Sequence, residues 1–140
     1  MGRSGGFTQM EVVVCVGLAM ILGAIAIPKL TAWGDVARAH GAASSLATEL
    51  RQVRARALVR GETLTVRFDP SASSWETRDA QGGLIDGSHL PPRLGFSALP
   101  QNRLLHFGAT GRSDNGTVAL SCGTSTVRVV VNQRGRVRIG

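Results

Sequence analysis

Residues 5–29 read GGFTQMEVVVCVGLAMILGAIAIPK, with Gly6 and Phe7 ahead of a lone acid, Glu11, and an apolar run over residues 12–27 behind it. None of the sixteen residues of that run is charged, which suits a membrane helix, although a full span takes about 20 residues. Glu11 is the odd residue. A charge at the centre of a membrane helix costs about 2.5 to 3.5 kcal/mol on insertion scales, so a carboxylate at the lip of such a helix implies an assigned partner. The six residues before Phe7 are short, glycine-rich and carry Arg3 as their only base. An ordinary secretory signal peptide is one alternative, because Ala24-Ile25-Ala26 offers a small-x-small cleavage site after an apolar core. Glu11 and the single basic side chain argue against it, since such peptides open on a positively charged segment. A plain single-span anchor is the other alternative.

The segment resembles the prepilin leader of type IV pilins and type II secretion pseudopilins. That pattern is Gly, then Phe or Met, three further residues, Glu and an apolar helix. Gly6, Phe7 and Glu11 occupy those positions, Thr8 follows Phe7, and Pro28 falls where such helices carry a proline; Gln9 and Met10 depart from the usual Leu and Ile or Val. The resemblance implies that prepilin peptidase cuts between Gly6 and Phe7 and methylates the new amino group of Phe7. It also implies that Glu11 pairs with the amino terminus of a neighbouring subunit during assembly. A carboxylate and an ammonium removed from water together compensate each other, whereas either alone is expensive, so Glu11 would set the axial register of subunits.

Moving outward, Lys29 and Trp33 are residue types that sit at a membrane interface. Pro28 removes a backbone donor, and Gly34 and Gly41 are further weak points in a helix. From 36 to 60 the period is helical: Leu46, Leu50, Val53 and Ala57 share one face, Arg51, Arg54, Arg56 and Arg60 lie mostly away from it, and Gly61 is a C-terminal stop. One helix over residues 8–60 would be about 80 Å long at 1.5 Å per residue. After Gly61 the period becomes two, with Leu64, Val66 and Phe68 alternating with polar residues. Further strands are expected at 74–78, 103–107, 117–121, 126–131 and 136–139, and an irregular loop at 84–102 because of Pro91, Pro92 and Pro100. The expected architecture is α+β: a long N-terminal helix, membrane-spanning in one half and amphipathic in the other, packed on a C-terminal antiparallel β domain. The divisions are 1–6, a leader; 7–29, a membrane or filament-core helix; 30–60, the amphipathic helix; and 61–140, a β-rich domain.

The last fifteen residues form the second informative segment. Residues 126–131, 132–135 and 136–139 read as strand, turn and strand. Val127, Val129 and Val131 share a face matched by Val137 and Ile139, while Arg128, Arg136 and Arg138 project to the other, with Arg134 in the turn. No acid lies in this segment, and like charges facing across strands destabilise. A solvated basic surface and an anion-binding face are both open readings, since guanidinium groups make forked bonds to phosphate. The absence of tyrosine and the scatter of Trp75 and the phenylalanines give no platform for base stacking. The prepilin start, the Arg-rich helix end, the alternating strand after it and the terminal Arg-Gly-Arg-Val-Arg are similar to the GspH/FimT family of minor pilins and minor pseudopilins. That resemblance implies a structural subunit that joins or primes a type IV pilus or a type II secretion pseudopilus. It further implies a single-pass inner-membrane protein with a periplasmic β domain, which enters a filament on assembly. Gly135, Arg136 and Arg138 fit the Gly-Arg-x-Arg that FimT-type proteins are proposed to use on DNA, so a DNA-binding minor pilin acting in DNA uptake through Arg128, Arg134, Arg136 and Arg138 is the alternative function.

The net charge of +7 favours anionic partners without choosing among nucleic acid, lipid headgroups and acidic proteins. Cys15 sits in the apolar run and Cys122 in a strand, so no disulfide is expected and Cys122 reads as a buried thiol. His40, His89 and His106 show no metal-ligand spacing. With no nucleophile elbow, phosphate loop or zinc-protease motif, neither an enzyme nor a cofactor is expected. The expected partners are prepilin peptidase, other pilins or pseudopilins, the inner membrane and, in the alternative, DNA.

Overall fold

The computed structural model describes residues 8–140, without the side chains of Ala26, Pro28 and Leu30. The Gly6–Phe7 junction therefore lies outside the described residues. Helix α1 runs Gln9–Arg60, and the helical assignment continues through Pro28, Gly34 and Gly41. Residues Asp35–Gly140 form one compact unit, and the described residues before Asp35 form another.

Within the Asp35–Gly140 unit, α1 is rich in strong helix formers: Ala, Leu, Arg, Gln and Glu. Ala39, Ala42, Ala43, Leu46, Ala47, Leu50, Val53 and Ala57 are buried, at successive spacings of one, three or four that form a single stripe. The expected stripe of Leu46, Leu50, Val53 and Ala57 is thus lengthened by alanines. Gly61 adopts φ 68° and its N–H bonds to the Ala57 carbonyl at 3.0 Å, ending the helix in a left-handed cap.

Eight strands follow: β1 Leu64–Asp69, β2 Ser74–Arg78, β3 Leu84–His89, β4 Leu94–Ala98, β5 Leu104–Phe107, β6 Gly116–Cys122, β7 Ser125–Val131 and β8 Val137–Ile139. They make two four-stranded antiparallel sheets, ordered β3-β2-β1-β5 and β4-β6-β7-β8. Inward residues of both sheets, among them Leu64, Val66, Phe68, Leu105, Phe107, Val118, Leu120 and Val129, join the α1 stripe in one core. Phe96 meets Phe68 and Trp75 edge to face, at centroid distances of 5.8 and 6.4 Å. Phe68, Trp75 and Phe96, scattered along the chain, are thus gathered and turned inward.

The irregular loop expected at 84–102 is a correction: that stretch holds β3 and β4. Both are edge strands, so neither shows the regular alternation of a strand half-buried between neighbours. β3 is mostly exposed on both faces, and its pairing with β2 shifts register between Thr77 and Arg78. The prolines lie outside the strands: Pro91 and Pro92 turn the chain from β3 to β4, and Pro100 follows β4. Ile139 is also a correction. It stays 39% exposed because β8 is a three-residue strand at the edge of its sheet, with no further strand to cover it. Among the described residues, no helix is long and apolar enough to cross a membrane, so the single-pass anchor expected over residues 7–29 is not shown.

Candidate functional site

Two regions carry the candidate residues, and they fall in different units of the structure. At the first, Thr8 stands just before the helix and Glu11 occupies its first turn. The Glu11 N–H donates to Thr8 Oγ1 at 3.3 Å, and the Val12 N–H donates to the Thr8 carbonyl at 3.2 Å. Thr8-x-x-Glu11 is the spacing of a capping box, in which a hydroxyl satisfies one of the helix's unpaired amides. The Glu11 carboxylate also lies at the positive end of the helix dipole, an arrangement worth about 0.3 to 1 kcal/mol. Its placement therefore has a local structural cause of its own. Behind it the apolar side chains are exposed all round the helix: Val12, Val13, Val14 and Val16 are followed by Leu18, Met20, Ile21, Leu22, Ile25 and Ile27, with Leu22 67% exposed. At 100° per residue these positions leave no polar face.

The second region is the β7–β8 hairpin. Its turn is held from several sides. Asn132 Oδ1 accepts the N–H groups of Arg134 at 3.1 Å and Arg136 at 2.9 Å, and the Gly135 N–H closes onto the Asn132 carbonyl at 2.8 Å. Ser113 Oγ donates to the same carbonyl at 2.7 Å. Two arginines of α1 reach across: Arg54 Nε donates to the Gly111 carbonyl at 3.0 Å and Arg51 Nη2 to the Val137 carbonyl at 3.1 Å. Gly135 has φ 69°, and a Cβ there would meet the Gly111 carbonyl and Arg54 Nε. In the terminal Gly-Arg-x-Arg, then, the glycine serves the turn, and only the arginines are free to serve a ligand.

Arg128, Arg136 and Arg138 share the outward face of the second sheet with Val130, and Arg134 lies exposed in the turn. The structure thus brings the four candidate arginines to the β7–β8 hairpin of one sheet, Arg128 in mid-strand and Arg134 in the turn. The register keeps them from facing one another: Arg138 pairs with Val130, and Arg128 pairs with Ala119 on one side and exchanges backbone bonds with Gly140 at 2.9 and 3.0 Å on the other. The repulsion expected across the strands is relieved by this stagger. The carboxylates of the unit are engaged elsewhere. Asp35, Asp86, Glu62 and Glu76 pair with Arg38, Arg56, Arg60 and Arg78. Glu49 accepts from Trp75 and Ser88, Asp69 and Asp79 from turn amides, and Asp114 from the His106 amide.

Arg51 and Arg54 are the residues that sequence reasoning missed, having placed them on the solvated side of the helix. They flank the apolar stripe, where long side chains lie over the edge of a core and carry their charge outward, and that position was the available signal. Cys122 is buried with its thiol 3.5 Å from Asp35 Oδ1. Burial, and then the Asp35 carboxylate beside it, push the thiol above its ordinary range, which keeps it protonated and unreactive.

The family model for type II transport protein GspH matches residues 42–135. The chain is 27% identical over 140 residues to the type II secretion system protein H of Xanthomonas campestris pv. campestris, covering 96% of this chain and 82% of that protein. Its fold is similar to that of the minor pseudopilin EpsH from the type 2 secretion system of Vibrio cholerae, with a TM-score of 0.60, 19% identity, and coverage of 74% of this chain and 96% of that one. It is also similar to the type IV minor pilin FimU of Pseudomonas aeruginosa, with a TM-score of 0.54, 18% identity, and coverage of 73% and 87%. The structural likenesses speak for the pilin-like fold: a helix on an antiparallel β domain. With two thirds of its length matched by the family model, the chain belongs to the type II transport protein GspH family.

Proposed function

We propose that this chain is a minor pseudopilin of a type II secretion system, a structural subunit rather than an enzyme. The observation that carries this reading is the girdle of exposed apolar side chains on α1 behind Glu11. A helix that is apolar on every side is stable only when buried, in lipid or among like helices, and a subunit that passes from membrane to filament core needs both. Family membership and the secretion protein H relative favour the type II system over a type IV pilus. In this reading prepilin peptidase cuts between Gly6 and Phe7 and methylates Phe7. The apolar run then anchors the subunit once in the inner membrane with the β domain in the periplasm, and Glu11 pairs with the amino terminus of a neighbouring subunit. Glu11→Val in the full chain is expected to keep the protein in the membrane fraction and to reduce its recovery in sheared or cross-linked pseudopili, with Glu11→Asp intermediate. Unchanged recovery of the valine variant would remove Glu11 from assembly. The DNA-binding alternative draws on Arg128, Arg134, Arg136 and Arg138 through contacts to the phosphate backbone, since Phe68, Trp75 and Phe96 pack inward; the family and the secretion protein H relative make it the weaker reading.

A further inference from the structure

Beside the basic hairpin, the outer face of the second sheet carries an open groove of about 600 Å³, with Leu99, Pro100, Thr117, Val130 and Asn132 among its lining residues. The register ties groove and cations together. Thr117 pairs with Val130 and Val130 with Arg138, so one row across three strands runs from a hydroxyl through an exposed valine to an arginine. The next row runs Ala98, Ala119, Arg128. Neighbouring strands lie about 4.8 Å apart, so the apolar and cationic halves of the face are within reach of one short segment.

We propose that this face docks an acidic, partly apolar segment of another protein, its carboxylates on Arg128, Arg136 and Arg138 and its apolar side chains over Val130. Three observations select that occupant. The side-chain carboxylates of the unit have partners elsewhere, so a side-chain anion for these arginines comes from outside, and a chain with a net charge of +7 is a poor partner for itself. Val130 is 40% exposed at the boundary of the groove and the arginines, where a phosphate backbone would leave it uncovered. Within this unit Phe68, Trp75 and Phe96 pack inward, so the face offers no aromatic platform for bases. Apolar anchors ringed by charge are the usual anatomy of a protein interface. The proposal goes beyond filament membership and does not depend on the role of Glu11.

The test uses the full chain in neutral detergent micelles and three fluorescent probes: a short peptide of alternating Asp and Val, one of alternating Asp and Ser, and a short DNA duplex. The Asp-Val peptide is expected to bind most tightly, with affinity falling as salt rises. Arg136→Gln with Arg138→Gln is expected to weaken it at least about tenfold through loss of charge-assisted bonds, and Val130→Asp by a comparable factor. Both sites are exposed, and an unchanged melting curve reports that each variant folds; Val130→Thr keeps a β-branched residue in the strand and is expected to weaken binding in the same direction should Val130→Asp fail to fold. Tighter binding of DNA than of the Asp-Val peptide, with no effect at Val130, would overturn the proposal in favour of nucleic acid. Equal binding of the two peptides, or no loss in the arginine variant, would overturn it as well.

Discussion

Gly135→Ala is the substitution on which the structure of the hairpin makes its sharpest demand. The residue sits at φ 69°, where a side chain costs about 1 to 2 kcal/mol. A methyl group there would also meet Arg54 Nε at 2.5 Å and break the bond from that nitrogen to the Gly111 carbonyl, and a hydrogen bond from a charged donor is worth about 1.5 to 3 kcal/mol. The two terms add to about 2.5 to 5 kcal/mol, a large share of the roughly 5 to 15 kcal/mol that holds a domain together. At roughly 4 °C or more per kcal/mol for a domain of this size, the Tm is expected to fall by at least roughly 10 °C. Trp75 is a suitable reporter, because it is buried with its Nε1 bonded to Glu49 Oε2 at 2.7 Å; a Trp33→Phe background isolates its fluorescence. Gly135→Asn separates the two terms, since Asn tolerates the left-handed region but keeps the clash, so it is expected to recover less than half of the loss. In an Arg54→Ala background the penalty of Gly135→Ala should shrink, a coupling expected for residues in contact. A Tm within about 2 °C of the parent for Gly135→Ala would mean that the turn relaxes freely and that the glycine is not tied to Arg54.

Two further outcomes follow from the core and from a turn. Leu46→Ala, at a fully buried position in the core, is expected to cost about 2 to 5 kcal/mol, read as a lower midpoint in urea unfolding with the slope unchanged. Asp69 accepts the amides of Ser71 and Ala72 at 2.9 and 3.3 Å, and those bonds, the one to Ser71 first, hold its carboxyl below the ordinary 3.8. The native state then binds this proton less tightly than the unfolded chain, so the stabilisation is complete above about pH 5 and is lost as pH falls below about 4. The Tm gap between the parent and Asp69→Ala is expected to be flat from neutral pH to about pH 5 and to close on further acidification; a gap that widens with acid would reverse the sign of this argument.

Much of the fold was legible because period and punctuation agree along the chain. The stripe at Leu46, Leu50, Val53 and Ala57, the stop at Gly61 and the alternation of Leu64, Val66 and Phe68 each follow from local sequence, and the hairpin from two valine-rich strands around a polar turn. β3 and β4 were not legible, because edge strands bury too little to impose alternation and their flanking prolines mask them. At the candidate site the arginines were visible as a cluster, but their stagger depends on register, which pairs Arg138 with Val130 and is set by the Asn132–Gly135 turn. Arg51 and Arg54 were missed because a helix-edge arginine looks the same in sequence whether it meets water or a carbonyl from another strand. The groove over Val130 is assembled from three strands far apart in the chain, and no local pattern announces it.

The first residue of the mature protein is where processing as a pseudopilin and processing as a secreted precursor differ most plainly. Mass spectrometry of the chain purified from membranes is expected to show an N-methylated amino terminus at Phe7, with residues 1–6 absent. A mature chain that begins near Ile27 would contradict the account, because the protein would then have been handled as an ordinary secreted precursor and would carry neither Glu11 nor the apolar helix into an assembly.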